Sequence, residues 1–266
     1  MPPIVFPDNR AKAALQEGQL LLGTMLADIR QPSIMQVLVN AGFDYVIIDN
    51  EHGSFSNESI ADLSRMARIL GLTPIVRIPE LTYAHVAQSL DGGAQGIMLP
   101  RVTHPDQVHE VLAIMKYPPV GRRGCAMSRG HTDFRGGPVG ENMAHANSAS
   151  MLMVQIETAE SLEHLDEIVA IEGVDALFIG PNDLSISLGV AGQSESPVLI
   201  EAIEKVMKAC KAHGVATAIQ ANDLAYAKRW TEAGMEIISY GSEIGLLVAA
   251  ASAGIQSIRA ARVQKV

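Results

Sequence analysis

Eight short apolar segments recur along this chain, and most are followed by a stretch with helical spacing of its apolar residues. Strands that alternate with helices in this way form parallel βαβ units. Eight such units in 266 residues predict an α/β fold, a closed (β/α)8 TIM barrel. The predicted strands are Leu20 to Leu26, Tyr45 to Ile48, Pro74 to Val76, Gly96 to Leu99, Met151 to Ile156, Ala176 to Ile179, Ala216 to Ile219 and Glu236 to Ser239.

A doubly wound open sheet is the competing arrangement. It is disfavoured because the glycine-rich phosphate turn of such folds is missing after the first strand. The residues Gly23-Thr24-Met25 do not match the motif GxGxxG. No linker interrupts the pattern, which predicts one domain over residues 1–266. The segment from Pro118 to Asn147 has no clear periodicity and is predicted to be irregular. The predicted helices are Ala11 to Gln16, Ser33 to Asn40, Asn57 to Leu70, Tyr83 to Leu90, Pro105 to Met115, Ala159 to Val169, Val198 to Ala212, Asp223 to Ala233 and Glu243 to Ala260.

Composition and charge narrow the function classes. A net charge of −9 and an aromatic content of 4% argue against a nucleic-acid surface. Cys125 and Cys210 make no disulfide framework, which fits a reducing compartment. The amino terminus has no secretory signal pattern, and no apolar run approaches the length of a membrane span. We therefore expect a soluble cytoplasmic protein with neither a nucleic-acid nor a membrane partner.

The stretch from Met151 to Ser185 carries the strongest chemical signal. It reads as strand, helix, strand and loop, with Glu157 and Asp183 just beyond the two strands. Neighbouring parallel strands end on the same side, where barrels place their sites, so these carboxylates are expected to meet. Two carboxylates with open positions suit a hard divalent cation. The alternative is that Glu157 caps the following helix and Asp183 a short turn.

Other polar residues follow the remaining strands, and they suggest an enolate chemistry. Histidine is a general base near neutral pH, so His52 could move a proton, oriented by a neighbouring carboxylate. Arg77 could stabilise an oxyanion. Each also has an ordinary structural alternative: backbone bonding for His52, a surface ion pair for Arg77 and a turn cap for Asp49. The strand-end set comprises Asp49, Glu51, His52, Arg77, Arg101, Gln155, Glu157, Asp183 and Gln220.

An ordered set of motifs resembles the metal-dependent (class II) pyruvate aldolases of the HpcH/HpaI family, the 4-hydroxy-2-oxoheptanedioate aldolase type. The motifs are AGFDYVIIDNEHG, PIVRIP, LDGGAQGIMLPRV, YPPVGRRG, VQIET and IEGVDALFIGPNDLS, which run from about Leu20 to Gly245. The resemblance implies a barrel of the phosphoenolpyruvate/pyruvate superfamily with its C-terminal helix exchanged between subunits. It also implies a homohexamer, a dimer of trimers.

The same resemblance assigns roles to residues of this chain. It implies that Glu157 and Asp183 bind Mg, Mn or Co and that Arg77 stabilises the enolate. His52 is implied as the proton acceptor or donor, with Asp49 as its partner in the chain and Asp91 reaching it from an adjacent subunit. Gly180, Pro181, Asn182, Asp183 and Gln155 are implied to hold pyruvate. The chain departs from familiar members at Asn50, in Arg122 to Val139 and in Ser239 to Glu243, which shape the aldehyde side.

The implied reaction is the reversible cleavage of a 4-hydroxy-2-oxo acid to pyruvate and an aldehyde, through a metal-bound pyruvate enolate. Another enzyme of the superfamily is the alternative, with citrate-synthase-like condensation, oxaloacetate decarboxylation or acyl-CoA lyase chemistry. A third hypothesis is a catalytically idle binding protein. The filled polar positions at the strand ends argue against it, and failure to bind a divalent ion or pyruvate would favour it.

Overall fold

The computed structural model of the protein describes residues 8–263. Its strands are all parallel and close into a barrel, in which each pairs with the next along the chain and the last with the first. The predicted (β/α)8 barrel is therefore confirmed. The strands are β1 (Leu21–Leu26), β2 (Tyr45–Asp49), β3 (Thr73–Arg77), β4 (Gly96–Leu99), β5 (Met151–Ile156), β6 (Ala176–Ile179), β7 (Ala216–Ala221) and β8 (Ile237–Ser242).

The strands carry apolar side chains on both faces, which explains their continuous apolar runs. Ile47 and Phe178 belong to the cluster that fills the barrel interior, and both are fully buried. Ile48 and Val154 belong to the cluster between the strands and the helices. Because parallel sheets in barrels are covered on both sides, successive residues of a strand are buried alternately inside and outside.

Several of the helices begin at a residue whose side chain caps them. Ser56, Thr82 and Asp223 each accept a backbone N–H of the helix that follows, which satisfies one of its unpaired donors. The helices are α1 (Arg10–Gln16), α2 (Ile34–Ala41), α3 (Asn57–Ile69), α4 (Tyr83–Gly92), α5 (Pro105–Met115), α6 (Val139–Ala149), α7 (Ala159–Glu163), α8 (Leu165–Val169), α9 (Pro181–Ser187), α10 (Pro197–His213), α11 (Leu224–Glu232) and α12 (Glu243–Val263).

Three local predictions differ from the structure. The irregular segment contains α6, whose polar sequence buries little more than Asn142 and Ala146 and so lacks an apolar stripe. The helix predicted from Ala159 to Val169 divides at His164, which ends α7 with non-helical backbone angles. The loop predicted after β6 is the start of α9, because Pro181 occupies the first helical position.

The last helix, α12, packs little of its surface against the rest of the chain. Leu247 and Ile258 are 61% and 74% exposed. Within the described residues, Glu243–Arg262 is also long and apolar enough to cross a membrane by length and composition, with a mean hydropathy of 1.4 over an 18-residue window that contains no buried residue. The prediction that no apolar run approaches such a length is wrong for this helix. Exposed apolar surfaces of this kind are typical of faces that contact another protein or a membrane.

Replacing Gly23 with alanine should destabilise the barrel. The added Cβ would lie 2.3 Å from the ring of Tyr45, which is fully buried and cannot move aside. Overpacking of this kind costs about 1–3 kcal/mol. We expect thermal unfolding to report a melting temperature several degrees lower. Gly140→Ala is the control, since nothing lies within 4 Å of its Cβ. Equal melting temperatures for the two variants would contradict the packing.

Candidate active site

The carboxyl ends of the strands surround a cavity of about 340 Å³. Most of the site residues predicted from the sequence lie in its wall, although they come from four different strands and one helix. This convergence is what a barrel mouth provides. The predicted residues that line the cavity are Asp49, His52, Arg77, Gln155, Gly180, Pro181, Asn182 and Asp183.

Arg77 is held rigidly between two carboxylates. Its Nε and Nη2 donate to the two oxygens of Asp49 at 2.9 and 2.7 Å, and its Nη1 lies 3.2 Å from Glu51 Oε2. Burial lowers the pKa of the guanidinium, but the hydrogen bonds and charge of Asp49, aided by Glu51 and Glu157, raise this pKa overall. Such a two-point pairing fixes the orientation of the cation at the mouth.

His52 lies in the turn after β2, and its side chain is 65% exposed. Asp49 Oδ1 accepts the backbone N–H groups of Glu51 and His52 at 3.0 and 3.3 Å, so it organises the turn. The carboxylate nearest the imidazole is Glu51, 4.0 Å from His52 Nε2. Asp49 therefore contacts the backbone of His52, and Glu51 is the acid beside its ring.

Glu157 follows β5 and is 4% exposed. One carboxylate oxygen accepts the backbone N–H of Arg101 at 2.6 Å, and the other accepts the side-chain amide of Gln155. Arg101 has a left-handed backbone, with φ at 53°, which aims this N–H at the carboxylate. Burial raises the pKa of Glu157 to about 7. The negative charges of Glu51 and Asp183 add to this shift, whereas the Arg101 N–H and the charge of Arg77 oppose it.

Gly180 leaves the room that these groups need. A Cβ at this position would lie 2.9 Å from both Gln155 Nε2 and Glu157 Oε2, so a larger residue would displace them. Gly180 also precedes the first turn of α9, where the N–H groups of Asn182 and Asp183 have no acceptor within the helix. The turn therefore offers backbone donors to an anionic group in the mouth.

The donor set of the mouth fits a hard divalent cation. Glu157 and Asp183 are close enough that the charge of Asp183 raises the pKa of Glu157. The buried Oε1 of Gln155 also has no hydrogen-bond partner among residues 8–263. All these groups are oxygen donors, which Mg²⁺ and Mn²⁺ prefer. Within the described part of the chain, no group of three or more His, Cys, Asp or Glu side chains is placed to hold a metal ion.

Asp91 is the one predicted site residue that lies away from this mouth. It is the second-to-last residue of α4. Because the helices of a barrel run opposite to its strands, the end of α4 lies at the other end of the barrel from the mouth. Its carboxylate accepts a hydrogen bond from Arg123 and lies 4.0 Å from His131 Nδ1. Within one chain, then, Asp91 pairs with Arg123. Its action on a histidine of an adjacent subunit stays a prediction.

Sequence reasoning missed the role of Glu243, the first residue of α12. It is 5% exposed, and its Oε1 accepts the backbone N–H groups of Ala27, Asp28 and Ile29 at 3.0, 2.7 and 3.2 Å. One carboxylate thus shapes the loop after β1, which carries Ala27 into the cavity wall. The only signal for it in the sequence is an acid directly after the last strand.

Comparison with known proteins identifies the family of the chain. A family model described as HpcH/HpaI aldolase/citrate lyase matches residues 24–250. The hydroxypyruvate/pyruvate aldolase of Roseovarius nubinhibens is 35% identical over 243 residues, which cover 91% of this chain and 93% of that protein.

Solved structures give the same result. An HpcH/HpaI aldolase from Desulfitobacterium hafniense is 35% identical with a TM-score of 0.89, over 93% of this chain and 96% of that one. The citrate synthase SbnG is 27% identical with a TM-score of 0.84, over 93% and 96%. Fold, mouth and relatives together define a carbon–carbon lyase built on a (β/α)8 barrel. The chain belongs to the HpcH/HpaI aldolase/citrate lyase family.

Replacing Glu243 with alanine should lower both stability and activity. Three backbone N–H groups would lose their acceptor, and hydrogen bonds to a charged group are worth about 1.5–3 kcal/mol each. We expect a fall of at least about 3 kcal/mol in the free energy of unfolding, measured in urea. Glu243→Gln retains an acceptor oxygen and should lose less. Equal losses for the two variants would contradict the assigned contact.

Proposed function

We propose that this protein is a divalent-metal-dependent aldolase that reversibly cleaves a 4-hydroxy-2-oxo acid to pyruvate and an aldehyde. The observation that carries the proposal is the arrangement of one cavity. Arg77, which Asp49 fixes, lines the cavity together with Asp183 and His52. The carboxylate of Glu157 lies directly behind the wall residue Gly180, since a Cβ on Gly180 would come within 2.9 Å of Glu157 Oε2. An oxyanion partner, a cation site and a proton acceptor are the parts that enolate chemistry needs.

The residues would divide the work as follows. A divalent ion held by Glu157 and Asp183 would polarise the 2-oxo group of the substrate. The N–H groups at the start of α9 and the side chain of Gln155 would hold the pyruvate portion. The cation of Arg77 would stabilise negative charge as it develops on the carbonyl oxygen.

His52 would take the proton of the 4-hydroxyl group, so that the C4–O bond becomes a carbonyl as the C3–C4 bond breaks. The electron pair of that bond remains with C3 and forms the pyruvate enolate. A proton then returns to C3 and releases pyruvate. The exposed position of His52 fits this role, because its ring can exchange protons with solvent.

A condensing reaction of the citrate-synthase type is the second candidate. It is favoured by the likeness to the citrate synthase SbnG, and it would add the enolate of an acetyl thioester, rather than that of pyruvate, to a keto acid. Oxaloacetate decarboxylation would form the pyruvate enolate by loss of carbon dioxide.

We further propose that the whole chain is one cytoplasmic domain that assembles as a homohexamer, a dimer of trimers, with α12 exchanged between copies. The exposed apolar residues of α12 support contact with a second copy. A trimer would also bring Asp91 to the mouth of a neighbouring chain. Two free cysteines, Cys125 and Cys210, fit a reducing compartment.

Exchange of the C3 protons of pyruvate in deuterated water tests the enolate chemistry. We expect NMR to show loss of the methyl signal when protein and Mn²⁺ or Mg²⁺ are present, and no loss after chelation. This half-reaction needs the cation, the proton carrier and Arg77, but no aldehyde. Absence of exchange with every divalent ion would contradict the proposed function.

Arg77→Ala should lower turnover by about 10²–10³, the usual effect of removing one preorganised oxyanion partner. The loss should appear in kcat more than in KM, because the charge forms in the transition state. Arg77→Lys keeps a cation but loses the two-point bond to Asp49, so it should retain part of the activity. A folded Arg77→Ala variant, verified by circular dichroism, with near-normal turnover would remove this role.

Light scattering after size exclusion tests the assembly. The native protein should have six times the mass of one chain. Leu247→Asp on the exposed face of α12 should reduce that mass, because it puts a charge into an apolar contact. Val37→Asp, at a site 58% exposed on α2, is the matched control and should not change it. A monomeric native protein would contradict the proposed assembly.

A further inference from the structure

A second cavity of about 240 Å³ adjoins the mouth. The two cavities share four wall residues at the ends of β6 and β7, namely Pro181, Asn182, Gln220 and Asn222. Pyruvate alone is too small to need both. The second cavity therefore offers space for the part of a substrate that extends beyond the reacting carbons.

The charges in the second cavity disfavour an anionic chain end. Among the described side chains that line the two cavities, Arg77 is the only guanidinium or ammonium group, and Asp49 and Glu51 already neutralise it. The other permanent charges in the walls are the carboxylates of Asp183 and Asp223. Asp183 would hold the metal ion in the proposed function, which leaves Asp223 as the one charged side chain among the described residues that line the second cavity. A substrate carboxylate that reached this cavity would thus meet a like charge and no side-chain cation, which is unfavourable.

Gln220 lines both cavities and carries a hydrogen-bond acceptor that has no partner within residues 8–263. Its Nε2 donates to the carbonyl of Gly241 at 3.0 Å and to Asn222 Oδ1 at 3.2 Å, which fixes the orientation of the amide. Its Oε1 is then buried and has no hydrogen-bond partner within residues 8–263. A buried acceptor without a partner is costly, and a hydroxyl group can satisfy it whereas a carboxylate cannot.

We propose that the aldehyde half of the substrate is a neutral, hydroxyl-bearing aldehyde whose hydroxyl group donates to Gln220 Oε1. Beyond Gln220, the wall continues with Asn222 and Ser194, which carry neutral hydrogen-bonding groups. This assignment of the substrate class rests on the proposed aldolase function. It makes Gln220 a determinant of specificity.

A matched pair of aldehydes tests the substrate class. Glyceraldehyde ends in a CH₂OH group where tartronate semialdehyde ends in a carboxylate, and the two aldehydes are otherwise identical. With pyruvate and Mn²⁺, the native protein should use glyceraldehyde with a kcat/KM at least about tenfold higher. An equal or higher value for tartronate semialdehyde would overturn the proposal.

Variants of the wall residues sharpen the test. Gln220→Leu removes the acceptor and should lower the preference for glyceraldehyde by about tenfold. Asn222→Lys adds a cation at an exposed position, where folding is not at risk, and should shift the preference toward tartronate semialdehyde. An unchanged ratio of kcat/KM in both variants would contradict the assignment of this wall.

Pyruvate exchange by the native protein separates the two claims. Exchange together with a preference for tartronate semialdehyde would overturn the substrate class and leave the aldolase function in place. The lack of both exchange and turnover with either aldehyde would overturn the function and, with it, this inference. Exchange together with the expected preference supports both.

Discussion

The burial of one carboxylate, that of Glu157, is the constraint on which the site depends. Water is nearly excluded from it, and Glu51 and Asp183 bring further negative charge, so its pKa rises to about 7. The fold supplies partial compensation through the backbone N–H of Arg101 and the amide of Gln155. A divalent cation would compensate the remaining charge, which is why a buried acid at the end of a strand points to metal-assisted chemistry.

At Arg77, the other part of the site, the balance of charge is the opposite. Arg77 is a buried cation that Asp49 and Glu51 surround with negative charge, and the pairing keeps its guanidinium charged and oriented. Because both carboxylates are committed to Arg77, the cation can act on a developing oxyanion but is poorly suited to capture a substrate carboxylate. The same pairing therefore links the proposed mechanism to the proposed choice of a neutral aldehyde.

Much of this site could be predicted because parallel strands end at one edge. Glu157 and Asp183 follow strands that the apolar runs identify, so their convergence follows from topology alone. The contact of Glu243 with the loop after β1 could not be predicted, because it joins residues from opposite ends of the chain. Nor does the sequence reveal the left-handed backbone of Arg101, since glycine is the usual residue there. The apolar spacing of α12 does not say what the helix packs against, so the expectation that this helix leaves its own barrel came from the family resemblance alone.

Calorimetric titration of Mn²⁺ into the native protein tests the central claim most directly, because it requires no substrate and no turnover. One ion should bind per chain. Asp183→Asn should weaken that binding by at least about tenfold, a change of about 1.4 kcal/mol in binding free energy. Asp166→Asn removes the same charge at an exposed position on α8 and should have no effect. Failure of the native protein to bind Mn²⁺, or equal affinities for native protein and Asp183→Asn, would contradict the account.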